Sequence, residues 1–204
     1  MINEKLLKII ILGSSSVGKT SILIRGFDKE FQKKTISTIG VDYKTQYFKF
    51  DGETPIKVNY IDTAGQEKFR SISLNYLKGT DGAMLVYDIT NKESFELIHK
   101  WLDDIRENNK MGIGKILVGN KADLISEREV SVEDGKKLAD TLNCQYFETS
   151  AVTGQNVREA LDEIAKITYL EWQKTNEQRN TIRLSSTGSV EKIDNNTKKK
   201  KCCK

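Results

Sequence analysis

The stretch Gly13-Ser14-Ser15-Ser16-Val17-Gly18-Lys19-Thr20 constrains this chain more than any other, because its flanks are as specific as its letters. Before it runs Leu6-Leu7-Lys8-Ile9-Ile10-Ile11-Leu12, mostly apolar and bounded by charge, the pattern of a strand buried on both faces. After it, Ser21-Ile22-Leu23-Ile24-Arg25 continues without a breaker, as a helix does. Strand, glycine-rich loop and helix in that order make G-x-x-x-x-G-K-[ST] a phosphate-binding loop rather than a plain glycine turn. Glycines let successive backbone N–H groups curl around an anion, and the helix N-terminus adds the positive end of its dipole. Contacts to phosphate are expected from Ser15, Ser16, Val17, Gly18 and Ser21. Lys19 supplies a point charge to the outer phosphates, and the Thr20 hydroxyl takes one Mg²⁺ position.

Downstream, strand-like and helix-like segments alternate. Gly26 to Phe31 leads into a polar stretch, Gln32 to Ser37, with too little apolar content to pin it, so a mobile loop is expected there. Thr38-Ile39-Gly40 precedes the strand-like run Val41 to Phe50. Asp51-Gly52 is a hairpin-turn signal, and Ile56-Lys57-Val58-Asn59-Tyr60 alternates as a half-buried antiparallel partner does. Pro55, the only proline, stands at the start of that strand, where a missing N–H is tolerated. Gly82 to Tyr87, Lys115 to Gly119 and Cys144 to Glu148 read as further strands. Asn91 to Asn108, Val130 to Leu142 and Val157 to Trp172 read as helices, the first with Phe95, Ile98, Leu102 and Ile105 on one face. The expected fold class is therefore α/β, with a six-stranded, mostly parallel sheet, one antiparallel strand, and about five helices on its two faces.

Ligands of such sheets bind at the carboxyl ends of the strands. The phosphate-binding loop, Asp62 to Gly65, Asn120 to Asp123 and Ser150-Ala151 each follow a strand directly, so all are expected on one rim. Asp62 closes an apolar strand, where a second Mg²⁺ contact belongs. Gly65 lets the backbone approach a terminal phosphate, and Gln66 beside it can orient a water. None of this chooses a base. Asn120-Lys121-Ala122-Asp123 does, because a carboxylate facing the base accepts from both the ring N–H and the exocyclic amino group of guanine. Adenine has no such donor pair, and the unmatched carboxylate is worth about 10⁴ in selectivity. Asn120 can brace the loop, and the Lys121 stem can lie over the base plane. Ser150-Ala151 offers backbone N–H groups to the guanine carbonyl, and Phe31 can pack on the other side of the base.

Charge separates two regions. The 204 residues carry a net charge of +4, but residues 175–204 alone hold eight Lys/Arg against three Asp/Glu. That leaves 25 basic and 26 acidic groups in residues 1–174, so no basic face for nucleic acid is expected. The expected organisation is a nucleotide-binding domain over 1–174 and a disordered tail over 175–204, rich in Asn, Ser, Thr, Gln and charge. Lys198 to Lys201 form a basic run whose target is an anionic membrane surface. No apolar run is long enough to span a bilayer and no signal-peptide core follows Met1, so a cytosolic chain is expected. Cys144, beside Tyr146 and Phe147, is expected to be an inert core thiol, and the lone histidine, His99, a surface or packing residue.

Residues 6–174 resemble a small GTPase of the Ras superfamily, with all five nucleotide-contacting stretches present and in order. The likeness is to the Rab branch: Ile39-Gly40-Val41-Asp42-Tyr43 resembles its I-G-V-D-F segment, and Ala64 to Ile72 its second switch. Tyr87-Asp88-Ile89-Thr90, Ser94-Phe95 and the terminal Cys202-Cys203 also fit. The resemblance implies a P-loop GTPase fold and a GTP/GDP switch in vesicle traffic. It implies Mg²⁺ on Thr20, Thr38 and, through water, Asp62, with Thr38 and Gly65 on the γ-phosphate. Gln66 and Lys19 are the implied catalytic residues. Ile39 to Tyr43, Ile61, Phe69 and Tyr76 form the implied effector surface. A guanine-nucleotide exchange factor, a GTPase-activating protein, a GDP-dissociation inhibitor or escort protein, and effectors are the implied partners of a monomer. Prenylated Cys202 and Cys203 would hold it on the cytoplasmic face of an intracellular membrane, in exchange with cytosol.

The chain departs from the Rab pattern at Ile61, usually Trp, at Tyr43, usually Phe, and at Leu77, the second of a Tyr pair; all lie on the effector-facing surface. Thr35 stands where an aromatic often covers the phosphates. Ser15 occupies the mid-loop position, which is expected to slow hydrolysis, and no arginine lies in Gln32 to Thr38 to act as a finger in cis. Two further function classes stay open at this point. One is a relative that holds GTP without hydrolysing it; the other is a P-loop kinase or ATPase, which Asn120-Lys121-x-Asp123 disfavours.

Overall fold

The computed structural model describes residues 5–28, 41–50, 55–63, 76–108 and 112–186, with side chains described except at Val41 and residues 178–186. Its strands are β1 (Leu6–Leu12), β2 (Val41–Phe48), β3 (Ile56–Thr63), β4 (Gly82–Asp88), β5 (Gly114–Asn120) and β6 (Gln145–Thr149). The helices are α1 (Lys19–Asp28), α2 (Lys92–Glu96), α3 (Ile98–Asn108), α4 (Val132–Thr141) and α5 (Val157–Ser186), with a 3₁₀ turn at Ile125–Glu127. The strands form one sheet in the order β2-β3-β1-β4-β5-β6. Only the β2–β3 pair is antiparallel; the others are parallel. The hairpin signal Asp51-Gly52 lies outside the described residues, but the pairing it predicts runs in register from Val41↔Thr63 to Phe48↔Ile56.

Residue alternation decides which layer each side chain joins. Leu7, Ile9 and Ile11 on β1, with Val58 and Tyr60 on β3, pack against α1 and α5. Ile10, Leu12, Leu85, Tyr87 and Leu117 point the other way, to Ile98, Leu102, Ile105 and Leu138. Both layers are mainly apolar, and β4 is buried along its whole length. A parallel sheet covered on both faces has this property, which is why its strands carry apolar runs instead of clean alternation.

Two helix boundaries differ from the sequence expectation. The single helix expected from Asn91 to Asn108 is two, because the Leu97 N–H is shared between the carbonyls of Glu93 and Phe95 and the helix restarts at Ile98. The break lets Phe95 set its edge on Tyr87 at 4.9 Å while Ile98, Leu102 and Ile105 stay in the core. The last helix does not end near Trp172; it runs to Ser186, past the boundary drawn at Lys174. Residues 175–186 contain neither Gly nor Pro, and propagating a helix from an anchored stem costs far less than nucleating one. An aromatic ladder pins that stem to β2: Phe48 stacks on Phe50 at 5.2 Å, Phe50 on Tyr169 at 4.7 Å, and Tyr169 on Trp172 at 6.1 Å.

α5 lies close to the sheet because β4 and β5 begin with Gly82 and Gly114. A Cβ on Gly82 would collide with Thr168 Oγ1, itself fully buried and without a hydrogen-bond partner. Gly82→Ala is predicted to lower the unfolding free energy by about 1–3 kcal/mol. Thr168→Ala in the same chain is predicted to restore most of it, read from urea midpoints; strictly additive losses would contradict the close approach.

Candidate functional site

The carboxyl ends of β1, β3, β4, β5 and β6 meet at one rim. The loop after β1 curls back on its own lysine: Lys19 Nζ donates to the carbonyls of Gly13 at 2.9 Å and Ser14 at 2.8 Å. Burial lowers the Lys19 ammonium to a pKa of about 8, against the opposing pull of the Asp62 carboxylate. Gly18 has φ +96°, and a Cβ there would strike Asn120 Nδ2, so the loop can lie this close to β5 only as glycine. Ser16 also takes a positive φ of 64°, the kind of backbone turn from which anion-binding nests of N–H groups are built. Ser15 and Ser16 are exposed, Val17 is buried among core side chains, and Ser21 is half-buried.

At the end of β3, Asp62 accepts from the Thr20 hydroxyl at 2.5 Å and is 1% exposed. A threonine whose proton goes to a carboxylate presents oxygen lone pairs outward. Two hard oxygens, one from a hydroxyl and one from a carboxylate, suit Mg²⁺, which keeps several water and phosphate ligands. Asp42, grouped in sequence with the effector segment, lines a cavity of about 180 Å³ with Thr20 and Asp62. Tyr43 is exposed; its ring meets Tyr76 edge-on at 6.1 Å, and the hydrogen bond between them pushes its phenol up to about 12. The effector-surface expectation is corrected here: Ile61, the cross-strand neighbour of Tyr43, is 2% exposed and Leu77 is fully buried, so both pack into the core with Ile10 and Leu12 instead of forming an exposed surface.

The base side of the rim is held by side chains. Asn120 Nδ2 donates to the Val17 carbonyl at 2.8 Å, and Asn120 Oδ1 accepts from Thr149 Oγ1 at 3.1 Å. Lys121, at φ 65°, reaches Asp88 Oδ2 at 2.5 Å. Asp123 Oδ1 accepts from Ser150 Oγ at 2.5 Å. One expectation needs correction here. The Ser150 N–H already donates to the Gln155 carbonyl at 3.1 Å, because the turn after β6 closes on itself, so the backbone donor left for a base carbonyl is that of Ala151. Phe31, Thr38, Ile39, Gly40, Gly65, Gln66, Phe69, Cys202 and Cys203 lie outside the described residues, as does Thr35.

Residues 8–169 match the sequence profile of the Ras family. The chain belongs to the Ras family, as a Rab-like small GTPase. Among its relatives, Ras-related protein RABA5c of Arabidopsis thaliana is 37% identical over 98% of this chain and 95% of its own length. Ras-related protein Rab-8B of Homo sapiens is 40% identical over 97% and 93%, and Ras-related protein Rab-13 of Mesocricetus auratus is 42% identical over 80% of each. A GTPase of this family binds GTP and GDP and hydrolyses the former.

Around the rim of this Rab-like GTPase lie residues that motif reading passed over. Asp88 enters that reading only as part of Tyr87-Asp88-Ile89-Thr90, although its place on the rim could have been found, since it closes a buried strand as Asp62 does. Arg128 and Glu148 could not, being 20 positions apart with no periodic signal; their guanidinium–carboxylate fork spans 2.6 and 2.9 Å. Cys144 is half-buried, and burial pushes its thiol up to about 11, consistent with an inert thiol. His99 is exposed.

Asn120→Ala is predicted to weaken GDP binding roughly a hundredfold, since two buried hydrogen bonds are lost and the Val17 carbonyl is left unpaired; an unchanged titration would contradict the brace. Burial opposes ionisation of Glu148, but Arg128 and the Tyr146 hydroxyl outweigh it and hold the carboxyl below its ordinary value. Its contribution is therefore present above the unfolded pKa of about 4.3 and lost as pH falls through the lowered folded value. Arg128→Met is predicted to flatten the acid side of the stability–pH curve, measured by urea unfolding between pH 3 and 7 as a rough window.

Proposed function

We propose that this chain is a membrane-cycling switch of vesicle traffic that holds GTP with Mg²⁺ and hydrolyses it slowly. The observation that carries this reading is the mutual locking of the phosphate loop and the base-facing loops: Asn120 holds Val17, and Ser150 holds Asp123. With Ser150 on Oδ1, the second Asp123 oxygen faces the ligand side and accepts from the guanine amino group and ring N–H. Lys121 lays its stem over the base while Asp88 fixes its ammonium. The N–H groups from Ser15 to Ser21 and the Lys19 ammonium bind the phosphates.

Thr20, Thr38 and, through water, Asp62 would hold Mg²⁺, which supplies charge neutralisation on the β- and γ-phosphates. Gln66 orients the attacking water, Lys19 stabilises charge on the phosphoryl oxygens, and Ser15 crowds the water's approach. Thr38 and Gly65 sense the γ-phosphate, so hydrolysis releases the two segments that carry them. With no arginine in Gln32 to Thr38, turnover depends on an activating protein, and with Lys19 and Asp123 gripping both ends of the nucleotide, release depends on an exchange factor. Effectors read Ile39 to Tyr43, Phe69 and Tyr76. Here Tyr43 offers a hydroxyl and Ile61 is buried, so the effector set differs from that of Rab proteins carrying Phe and Trp. The lysine run and prenyl groups on Cys202 and Cys203 anchor the chain on the cytoplasmic face of a membrane, from which a dissociation inhibitor extracts it.

Single-turnover phosphate release tests the switch. GTP-loaded chain is predicted to release phosphate slowly, and Gln66→Leu to release it at least about tenfold more slowly. Equal rates for the two chains, or ATP competing as well as GTP, would overturn the reading. For the anchor, mass spectrometry of the C-terminal peptide from native membranes is predicted to show two prenyl additions; an unmodified Cys202-Cys203 peptide would contradict it.

A further inference from the structure

Behind the base-facing rim lies a second polar tier on the α4 side of the sheet, which no nucleotide contact uses. Tyr87, fully buried on β4, shares a 2.8 Å hydrogen bond with the Tyr146 hydroxyl on β6. Tyr146 donates onward to Glu148 Oε1 at 2.9 Å, so its oxygen accepts from Tyr87. Glu148 takes the Arg128 guanidinium in a two-pronged fork, and Arg128 also donates to the Val130 carbonyl at 3.1 Å. The slot for the two phenols exists because the elements facing it present glycines. A Cβ on Gly119 would lie 2.8 Å from Tyr87 Oη, and one on Gly135 would lie 2.6 Å from Tyr146 Oη.

Tyr87, Arg128 and Glu148 each lie in a segment that carries a member of the rim. Tyr87 precedes Asp88, which holds Lys121. Arg128 lies in the loop that begins with Lys121 and Asp123. Glu148 precedes Thr149 and Ser150, which hold Asn120 and Asp123. We propose that Tyr87, Tyr146, Glu148 and Arg128 form a positioning network for base recognition: they fix the ends of β4 and β6 and the Lys121–Val130 loop against one another, and so set the Asp123 carboxylate at the guanine exocyclic amino group. The inference rests on the reading of Asp123 as the guanine ligand.

The chemistry suits a rigid brace. A bidentate arginine–carboxylate pair resists sliding as a single contact cannot, and a fully satisfied network in a low-dielectric interior stiffens its neighbours. Burial pushes Tyr87 up to about 12 and Tyr146 higher, so both stay protonated donors near neutrality, while Arg128 and Tyr146 keep Glu148 ionised against its burial. Nothing in the chain of bonds titrates near neutral pH, so its direction is fixed.

The test compares release of GDP with release of inosine diphosphate, whose base lacks the exocyclic amino group, from full-length wild type, Tyr146→Phe, Arg128→Met and Arg128→Lys. Ile105→Ala serves as a control; its side chain is buried in the same apolar layer and carries no polar group. In Arg128→Met, GDP is expected to leave about tenfold faster, with a smaller effect in Tyr146→Phe. Inosine diphosphate release should change less, so discrimination narrows; Arg128→Lys should recover part of it. Ile105→Ala should lower Tm and leave the ratio at its wild-type value. A wild-type ratio in both Arg128→Met and Tyr146→Phe, or equal narrowing in Ile105→Ala, overturns the positioning role. A wild-type chain that does not distinguish the two nucleotides overturns the Asp123 reading itself.

Discussion

The Asn120 carboxamide is the tie on which the rest of the site depends. It is 2% exposed at the end of β5, gives its N–H to the Val17 carbonyl of the phosphate loop and takes the Thr149 hydroxyl from β6. The first bond joins segments that no backbone ladder connects, since β1 and β5 are not neighbours in the sheet, and the second reinforces the β5–β6 ladder at its Asn120↔Thr149 pair. A parallel sheet brings its loops to one edge but leaves them to slide; side-chain amides, with a donor and an acceptor in one plane, stop the sliding. Gly18 is the necessary counterpart, because any side chain there would occupy the space of the Asn120 amide.

The architecture below the rim serves the same end. Two mainly apolar layers, one under α1 and α5 and one under α2, α3 and α4, hold the six strands so that the loops cannot drift independently. Several polar groups enter the described interior tied to partners: Asp88 with Thr90 and Lys121, Thr63 with the Ile11 carbonyl, Tyr60 with the Leu161 carbonyl. Buried polar groups joined in this way add definition without leaving unpaired donors in a low dielectric.

How much of this was legible in the sequence follows from the range of the signals. The phosphate loop, the strand runs and Asn120-Lys121-Ala122-Asp123 are local patterns, and the strands and the loop appear where local reading put them. The β2–β3 pairing was legible from a turn signal and alternation, because register follows from the pattern of one buried face. Helix ends were not. Composition suggested disorder after Lys174, yet an anchored helix without a breaker continues to Ser186, and one shared N–H at Leu97 divides a helix that periodicity draws as continuous. The Ser150 N–H was assigned to a ligand, although a turn reaching Gln155 claims it. Arg128 and Glu148 were invisible because long-range charge pairs leave no spacing to read.

The central claim is that the rim presents one carboxylate oxygen of Asp123 to a guanine while Ser150 holds the other. Asp123→Asn keeps the acceptor for Ser150 and replaces the ligand-facing oxygen with an amino donor. Guanine then meets donor against donor, whereas xanthine, with a carbonyl in place of the amino group, meets a complement. The direct measurement is equilibrium competition between GDP and xanthosine diphosphate on the wild-type chain and on Asp123→Asn. The account predicts a strong wild-type preference for GDP that inverts in the variant. Retained preference for GDP in Asp123→Asn, or none in either chain, would contradict it.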